Sequence, residues 1–234
     1  DEVIVPNYSF ISTASCVLMQ NATPVFVDCT IDTLAPDISL IEAAISPKTK
    51  AVIATHLWGF PCQINHIRQL CDQYNLILIE DASHAHGASL EGKMIGSFSD
   101  VSVFSLHQRK NLSVGDGGIC CTSNSDAADK IYRLRSFGHS DLSYNYRMTE
   151  FAGALGLSRL SKLDSQNSER QSNALKIMSL IETYQWIDCL RPIAKAVPVY
   201  HAFIFFINES LLDVPISHIC YLAQSYSLPL KRTW

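Results

Sequence analysis

Leu78-Ile79-Glu80-Asp81-Ala82-Ser83-His84-Ala85-His86-Gly87 is the stretch whose reading decides the fold. A short apolar run leads straight into two acids and then into a turn of small residues. Such a run suits a strand buried on both faces of a sheet. In a strand, Glu80 and Asp81 point to opposite faces, so at most one of them faces a given ligand. Read alone, an Asp after a strand is a turn or helix-capping residue. Its position gives it a second reading, because open α/β sheets bind ligands outside the carboxyl ends of their strands.

Outward from this run, strands are predicted over 3–5, 24–27, 51–55, 76–79, 101–104 and 119–122, all short, apolar and rich in β-branched residues. Helices are predicted between them over 11–19, 39–45, 64–74 and 126–137, with Ser39 or Asp37 as the cap of the second. The alternation predicts a mostly parallel α/β sheet with right-handed crossovers. The pattern then changes. Residues 140–147 are polar and irregular, and 149–180 reads as one or two long helices with Leu155, Leu157, Leu160 and Leu163 as apolar contacts. Residues 182–198 form a looser stretch, 200–207 read as a strand and 216–225 as a helix. A domain boundary is expected near 180–198, dividing a large domain over 1–180 from a linker and the start of a smaller domain over 181–234. The chain opens in a strand already under way and closes on Lys231-Arg232-Thr233-Trp234, so a piece of a longer chain is expected. No internal repeat is evident.

Composition narrows the function. Among 234 residues, apolar types make up 47% and charged types 17%, a balance that excludes a disordered chain. No run approaches the length of a membrane span and no basic, apolar signal pattern opens the chain, so a cytoplasmic protein with no membrane partner is expected. Lys and Arg number 18 against 22 Asp and Glu, a net charge of −4 that argues against a nucleic-acid partner. Eight Cys form no C-x-x-C pair, which leaves no zinc-ribbon pattern; they read as buried thiols of a cytosolic protein.

A second strand end is Phe104-Ser105-Leu106-His107-Gln108-Arg109-Lys110-Asn111, followed by the turn Gly115-Asp116-Gly117-Gly118. The loop is not a G-x-x-x-x-G-K-[ST] phosphate loop, and no G-x-G-x-x-G follows a strand as a nicotinamide site requires. A Lys at a strand end serves as a carbonyl-binding amine when its pKa is lowered; otherwise it is a solvated charge. His84 and His86 alone read as turn residues, and their spacing lacks the context of a metal site. Phe10 alone reads as a core aromatic.

Taken together the segments say more. An Asp at one strand end, with a Ser and a Lys five residues apart at another, is what pyridoxal 5'-phosphate (PLP) requires. The Asp keeps the pyridine nitrogen protonated, the Lys forms a Schiff base, and hydroxyls and N–H groups hold the phosphate. Further motifs stand in the same order along the chain. They are Val3-Ile4-Val5-Pro6 with Ser9-Phe10-Ile11-Ser12-Thr13-Ala14, Ala22-Thr23-Pro24-Val25-Phe26-Val27-Asp28, Ile45-Ser46-Pro47-Lys48-Thr49-Lys50-Ala51, His56-Leu57-Trp58-Gly59 and Tyr144-Asn145-Tyr146-Arg147-Met148. With these motifs the chain resembles the DegT/DnrJ/EryC1/StrS family of PLP-dependent sugar aminotransferases. The likeness runs from Asp1 to about Lys162 and is weaker beyond, although His201-Ala202-Phe203 resembles the start of the family's small domain.

The resemblance implies a PLP-dependent transferase type I fold: a mostly parallel mixed sheet with flanking helices, plus the start of a smaller C-terminal α/β domain. It implies PLP as cofactor and no metal. Lys110 would be the Schiff-base lysine and proton shuttle, Asp81 the partner of the pyridine nitrogen, and His84 the neighbour of the phenolic oxygen. Ser105 would bind the phosphate, Phe10 would stack on the ring, and Asn145 would reach the phosphate in a neighbouring subunit of a homodimer with shared sites. His56, Trp58 and His107 would line the substrate side. The implied reaction moves an amino group from glutamate or glutamine to a keto sugar, nucleotide-linked, in amino-sugar and polysaccharide biosynthesis; a cyclitol ketone or keto-deoxy sugar acid is the alternative acceptor. A PLP-dependent sugar dehydratase is a second reading, opposed by Lys110, since those relatives carry His there. A non-catalytic regulatory protein of the same fold is a third, opposed by intact Lys110 and Asp81. Three departures stand out: the family's Gly-Thr/Ser-Ala phosphate turn would precede residue 1, Asp116 stands where Glu is usual, and Arg109 adjoins the lysine.

Overall fold

The computed structural model of the chain describes residues 1–137 and 142–230. Six strands form the central sheet: β1 (Glu2–Pro6), β2 (Thr23–Val27), β3 (Thr49–Thr55), β4 (Ile77–Asp81), β7 (Val101–Ser105) and β8 (Gly118–Cys121). A short hairpin, β5 (Ser89–Leu90) and β6 (Lys93–Met94), lies between β4 and β7. The sheet order is β2-β1-β3-β4-β7-β8, parallel throughout except for β8, which runs antiparallel to β7 at the edge. The expected strands and the mixed, mostly parallel sheet are therefore present.

Alternation along the strands divides the core in two. Ile4, Val52 and Leu78 face one side, where they pack with Ile64, Ile67 and Leu70 of α3 (Ile64–Gln73) and Ile41 of α2 (Ile38–Ala43). Val5 and Ile53 face the other and pack with Val17 of α1 (Ser12–Leu18). The period-2 rule thus sends Glu80 to the α3 side and Asp81 to the α1 side. Asp37 is the cap of α2, accepting from the N–H groups of Ser39 and Leu40. Asn124 caps α4 (Ser125–Leu134) and Thr149 caps α5 (Glu150–Leu160) in the same way.

The expected long helical stretch is present as two helices, α5 and α6 (Leu163–Ile181), broken at Ser161 and Lys162. Beyond it the chain departs from expectation in two places. The looser stretch contains β9 (Ile187–Cys189) and β10 (Ala196–Val197), which pair with β11 (Phe205–Ile207) and β5. The strand expected over 200–207 begins only at β11. Tyr200 takes a left-handed φ of 45°, and the backbone of residues 199–202 is bonded instead to the turn at Leu57–Gly59. Helix α7 (Ile216–Ser225) lies where predicted. Of the irregular 140–147 stretch, residues 140 and 141 fall outside the described residues, as do 231–234 of the predicted second domain.

The cysteines also differ from expectation. All eight are free, but only Cys62, Cys71 and Cys189 are buried. Cys120 and Cys121 lie exposed on β8, an edge strand with no buried residue.

Candidate active site

The chain leaves β1 for β2 on one side and crosses to β3 on the other, so strand order reverses between β1 and β3. Such a switch point opens a crevice at the strands' carboxyl ends, where ligands bind in sheets of this kind. Three hydroxyls converge there. Ser9, in the loop after β1, lies 2.9 Å from Thr13 of α1 and 3.4 Å from Thr55 at the end of β3. Thr13 Oγ1 in turn donates to Asp81 Oδ2 at 3.3 Å. Asp81 sits opposite Thr55 on β3 and Val103 on β7, and its other oxygen accepts from the Ser83 N–H at 3.1 Å. A half-buried carboxylate is thus fixed by two donors at the mouth of the crevice.

Lys110 comes to the same place from the loop after β7, where its N–H bonds the His107 carbonyl. Its side chain is half-buried. Burial lowers the amine's pKa from the ordinary lysine value, and the opposing charge of Asp81 holds it up in part. Ser105, at the end of β7, accepts from the His107 N–H at 3.3 Å, which leaves its own hydroxyl proton for a ligand. His107 is a turn residue whose Nδ1 accepts from the Arg109 N–H, while Arg109 is exposed.

His84 lies beside this amine. Its Nδ1 accepts from the Trp58 N–H at 3.2 Å, so the neutral ring carries its proton on Nε2. Burial, followed by the charge of Lys110, pushes the pKa of His84 down to about 3. Trp58, in the turn after β3, is buried and stacks on His84 at 5.6 Å. His86, two residues on, is buried against Phe104, and burial lowers its pKa to about 4, with the Ser105 backbone opposing the shift.

His56 does not line the crevice as expected. Its side chain is wholly buried, with Nε2 3.2 Å from Glu80 Oε1 and Nδ1 accepting from the Cys62 N–H. The Cys62 bond occupies the Nδ1 lone pair, so the ring is the Nε2–H tautomer donating to the carboxylate. The reason is parity: His56 faces Glu80, which the alternation of β4 turns away from Asp81. Glu80 also accepts from the N–H groups of Gly96, Phe98 and Ser99 and from the Ser99 hydroxyl. Burial alone would raise its pKa, but the bonds from His56, Ser99 and Gly96 hold it well below the usual carboxylate range. Glu80 thereby ties the end of β4 to the loop after the β5–β6 hairpin, directly behind Asp81.

Phe10 is 60% exposed on the loop that enters α1. Asn145 is exposed and pairs with Ser136, in a segment where Tyr144 and Tyr146 stack at 4.7 Å. The structure therefore brings together Asp81, Lys110, Ser105, His84 and Trp58 but leaves Phe10 and Asn145 open to solvent. It adds residues to which the reading of the sequence gave no site role: the hydroxyls of Ser9, Thr13 and Thr55, and His201, which stacks on His84. The i, i+4 spacing of Ser9 and Thr13 was a usable signal. Among the described residues no three His, Cys, Asp or Glu side chains gather as metal ligands, and no helix is long and apolar enough to cross a membrane.

The chain is similar to known proteins in sequence and in fold. GDP-perosamine synthase of Vibrio cholerae is 36% identical over 172 residues, which cover 70% of this chain and 47% of the relative. UDP-N-acetyl-3-dehydro-alpha-D-glucosamine 3-aminotransferase of Acidithiobacillus ferrooxidans is 40% identical over 181 residues, covering 74% and 49%. The crystal structure of DesV from S. venezuelae, in complex with a ketimine intermediate, superposes with a TM-score of 0.86 at 35% identity, covering 88% of this chain and 58% of that one. The chain spans about half the length of the curated relatives it matches. The family model for the DegT/DnrJ/EryC1/StrS aminotransferases matches residues 1–215, and with that match over a switch-point site holding Asp81 and Lys110, the chain belongs to the DegT/DnrJ/EryC1/StrS aminotransferase family.

Proposed function

We propose that the whole protein is a PLP-dependent aminotransferase that moves an amino group from glutamate or glutamine to a nucleotide-linked keto sugar. The observation that carries this reading is the pairing at the switch point of a half-buried lysine, its pKa lowered, with a carboxylate fixed by two donors. The donor set suits the cofactor: an amine for its aldehyde, a carboxylate for its ring nitrogen and hydroxyls for its phosphate. When bound, PLP supplies an aldehyde and an electron-withdrawing ring.

The chain's own residues do the rest. Lys110 Nζ, in its neutral form, would hold the cofactor; once released it would take a proton from the α-carbon of the amino donor and, in the second half of the cycle, deliver one to the sugar carbon that was the ketone. Asp81 would keep a proton on the ring nitrogen, with Thr13 and the Ser83 N–H keeping Asp81 in place. Ser105 would bind the phosphate. His84, neutral with its proton on Nε2, offers that proton to an oxygen. The amino donor would leave as its keto acid and the sugar as an amine, so no outside oxidant enters.

The test is a screen of the PLP-loaded whole protein with glutamate and glutamine against GDP-, UDP- and dTDP-linked keto sugars. One pair should yield an amino sugar by mass spectrometry together with the matching keto acid. No transfer from either donor to any of the three would overturn the reading.

Asn145 and its neighbours would act in a homodimer. Leu142 is 98% exposed and Phe151 91%, and α5, an apolar helix, buries none of its residues. A single copy leaves this surface to water, and a second copy would cover it. Sedimentation of the whole protein should give twice the chain mass, whereas a monomer that transaminates would refute the shared site.

A further inference from the structure

The three hydroxyls behind the carboxylate at the switch point form a chain, and the direction of each proton in it follows from its end. Asp81 Oδ2 is a carboxylate oxygen and only accepts, so Thr13 directs its one hydroxyl proton there, at 3.3 Å. The 2.9 Å contact between Ser9 and Thr13 then runs from Ser9 to Thr13, because Thr13 has no proton left to give. Ser9 in turn has none left for Thr55, so Thr55 donates to Ser9 at 3.4 Å. The result is a one-way chain from Thr55 through Ser9 and Thr13 to Asp81, in which each donor polarises the next.

Thr13 is 5% exposed and Thr55 6%, so their hydroxyls depend on protein partners. The members come from the loop after β1, from α1 and from β3, which meet only in the folded sheet. The main chain of Asp81 needs no such help. It is paired with β3 and β7, and its carbonyl accepts from the His56 N–H at 3.1 Å. What the ladders leave free is the carboxylate, which turns about two side-chain bonds. The Ser83 N–H holds Oδ1 and the chain holds Oδ2. Each oxygen then accepts one proton from the protein and keeps a further lone pair for a ligand N–H.

We propose that Ser9 and Thr13 are positioning residues that act through Asp81: their hydroxyl chain holds the carboxylate in the orientation in which it takes the N–H of the cofactor ring. The proposal rests on the cofactor reading above and adds a remote residue, Ser9, to it. Thr13 carries the larger effect, since it touches the carboxylate. Ser9 acts only through Thr13, so its effect exists only while the Thr13 hydroxyl is present. Thr55, at the long end of the chain, contributes least.

A positioning role and a packing role part on one probe, the analogue of PLP in which C–H replaces the ring nitrogen. It keeps the aldehyde for Lys110 and the phosphate for Ser105 but offers Asp81 no N–H. Dissociation constants of PLP and of the analogue are measured by absorbance on the whole protein. The wild type should bind PLP about tenfold to a hundredfold more tightly than the analogue, the range for a hydrogen bond to a charged group. Thr13→Val, nearly the same shape, should lose about tenfold for PLP and less than about twofold for the analogue. Ser9→Ala should lose about threefold for PLP, and nothing further once Thr13 is already Val. Thr13→Ser, which keeps the hydroxyl, should stay within about twofold of the wild type. Equal losses for PLP and the analogue in Thr13→Val and Thr13→Ser would reduce the hydroxyls to packing groups and overturn the proposal. Additive losses from Ser9→Ala and Thr13→Val, or the full wild-type preference for PLP retained in Thr13→Val, would overturn it too, with the cofactor reading left standing. If the wild type shows no preference for PLP, or binds neither compound, the placement of Asp81 at the ring nitrogen fails, and the cofactor reading fails with it.

Discussion

Lys110→Ala in the whole protein is expected to lower turnover by on the order of 10⁴-fold or more, with the fold unchanged. An exposed lysine titrates near 10.4, so at pH 7.5 only roughly one molecule in a thousand offers a neutral amine. Burial of Lys110 raises that fraction, while Asp81 opposes the shift. The sign follows from the chemistry: the neutral form attacks the aldehyde, so cofactor capture should rise with pH through the lowered pKa and level off above it. Alanine removes both the covalent anchor and the proton carrier. Borohydride should fix the cofactor to the wild-type peptide containing Lys110 and leave the variant unlabelled. Labelling of the wild type at Lys93 or Lys130 would show that the anchor had been misplaced. Lys93 lies on β6 over the Phe98 ring and, among the described residues, pairs with no carboxylate.

Glu80→Gln should destabilise the whole protein by about 3–5 kcal/mol, nearly as much as Glu80→Ala. The usual expectation is that an amide of the same shape is tolerated, and here the partners argue otherwise. Oε1 accepts from His56 Nε2 and the Gly96 N–H, and Oε2 accepts from the Phe98 and Ser99 N–H groups and the Ser99 hydroxyl. Each of these backbone and imidazole groups is a donor. An amide NH₂ at either position would set donor against donor in a fully buried site. The same pocket predicts an acid response. A carboxylate whose folded pKa is depressed stabilises the fold above its unfolded value of about 4.3 and loses that contribution as pH falls toward the folded value. Urea unfolding at pH 7 and at pH 3 would show wild type and Glu80→Gln converging at low pH. A constant gap would mean that the carboxylate's charge is not what the pocket requires.

The strands and the two site-bearing turns were readable because their cause is local. Short β-branched runs between helical patterns form strands wherever both faces are covered, and Asp81 and Lys110 stand at the ends of two of them. Parity along β4 also foretold that Glu80 and Asp81 would part company. Sequence does not say which face of the sheet a residue after a strand will take. His56 was therefore read as a wall residue, whereas its ring belongs to the buried Glu80 network. The convergence of Ser9, Thr13 and Thr55 depends on three elements packing together, so only the Ser9–Thr13 spacing was visible beforehand. His201 was hidden most deeply. Its surroundings are apolar and aromatic and read as a strand, but their backbone bonds go to Leu57–Gly59 instead of to a neighbouring strand. The open face of β8 was missed for the opposite reason: Gly118–Cys121 has the composition of a covered strand and nothing among the described residues covers it.

The docking of residues 199–202 onto the turn after β3 sets the order in which the crevice is completed during synthesis. The ribosome releases Lys110, Asp81 and the first imidazole of the stack well before the second imidazole leaves the exit tunnel. The late segment must then close a loop that spans most of the chain, and the entropy of that closure precedes the reward of stacking. A nascent chain therefore passes through a stage with a finished sheet and a groove open on one side. The last wall raised is the one that carries the second imidazole, so Asp81 and Lys110 are in place before the wall beside them is complete.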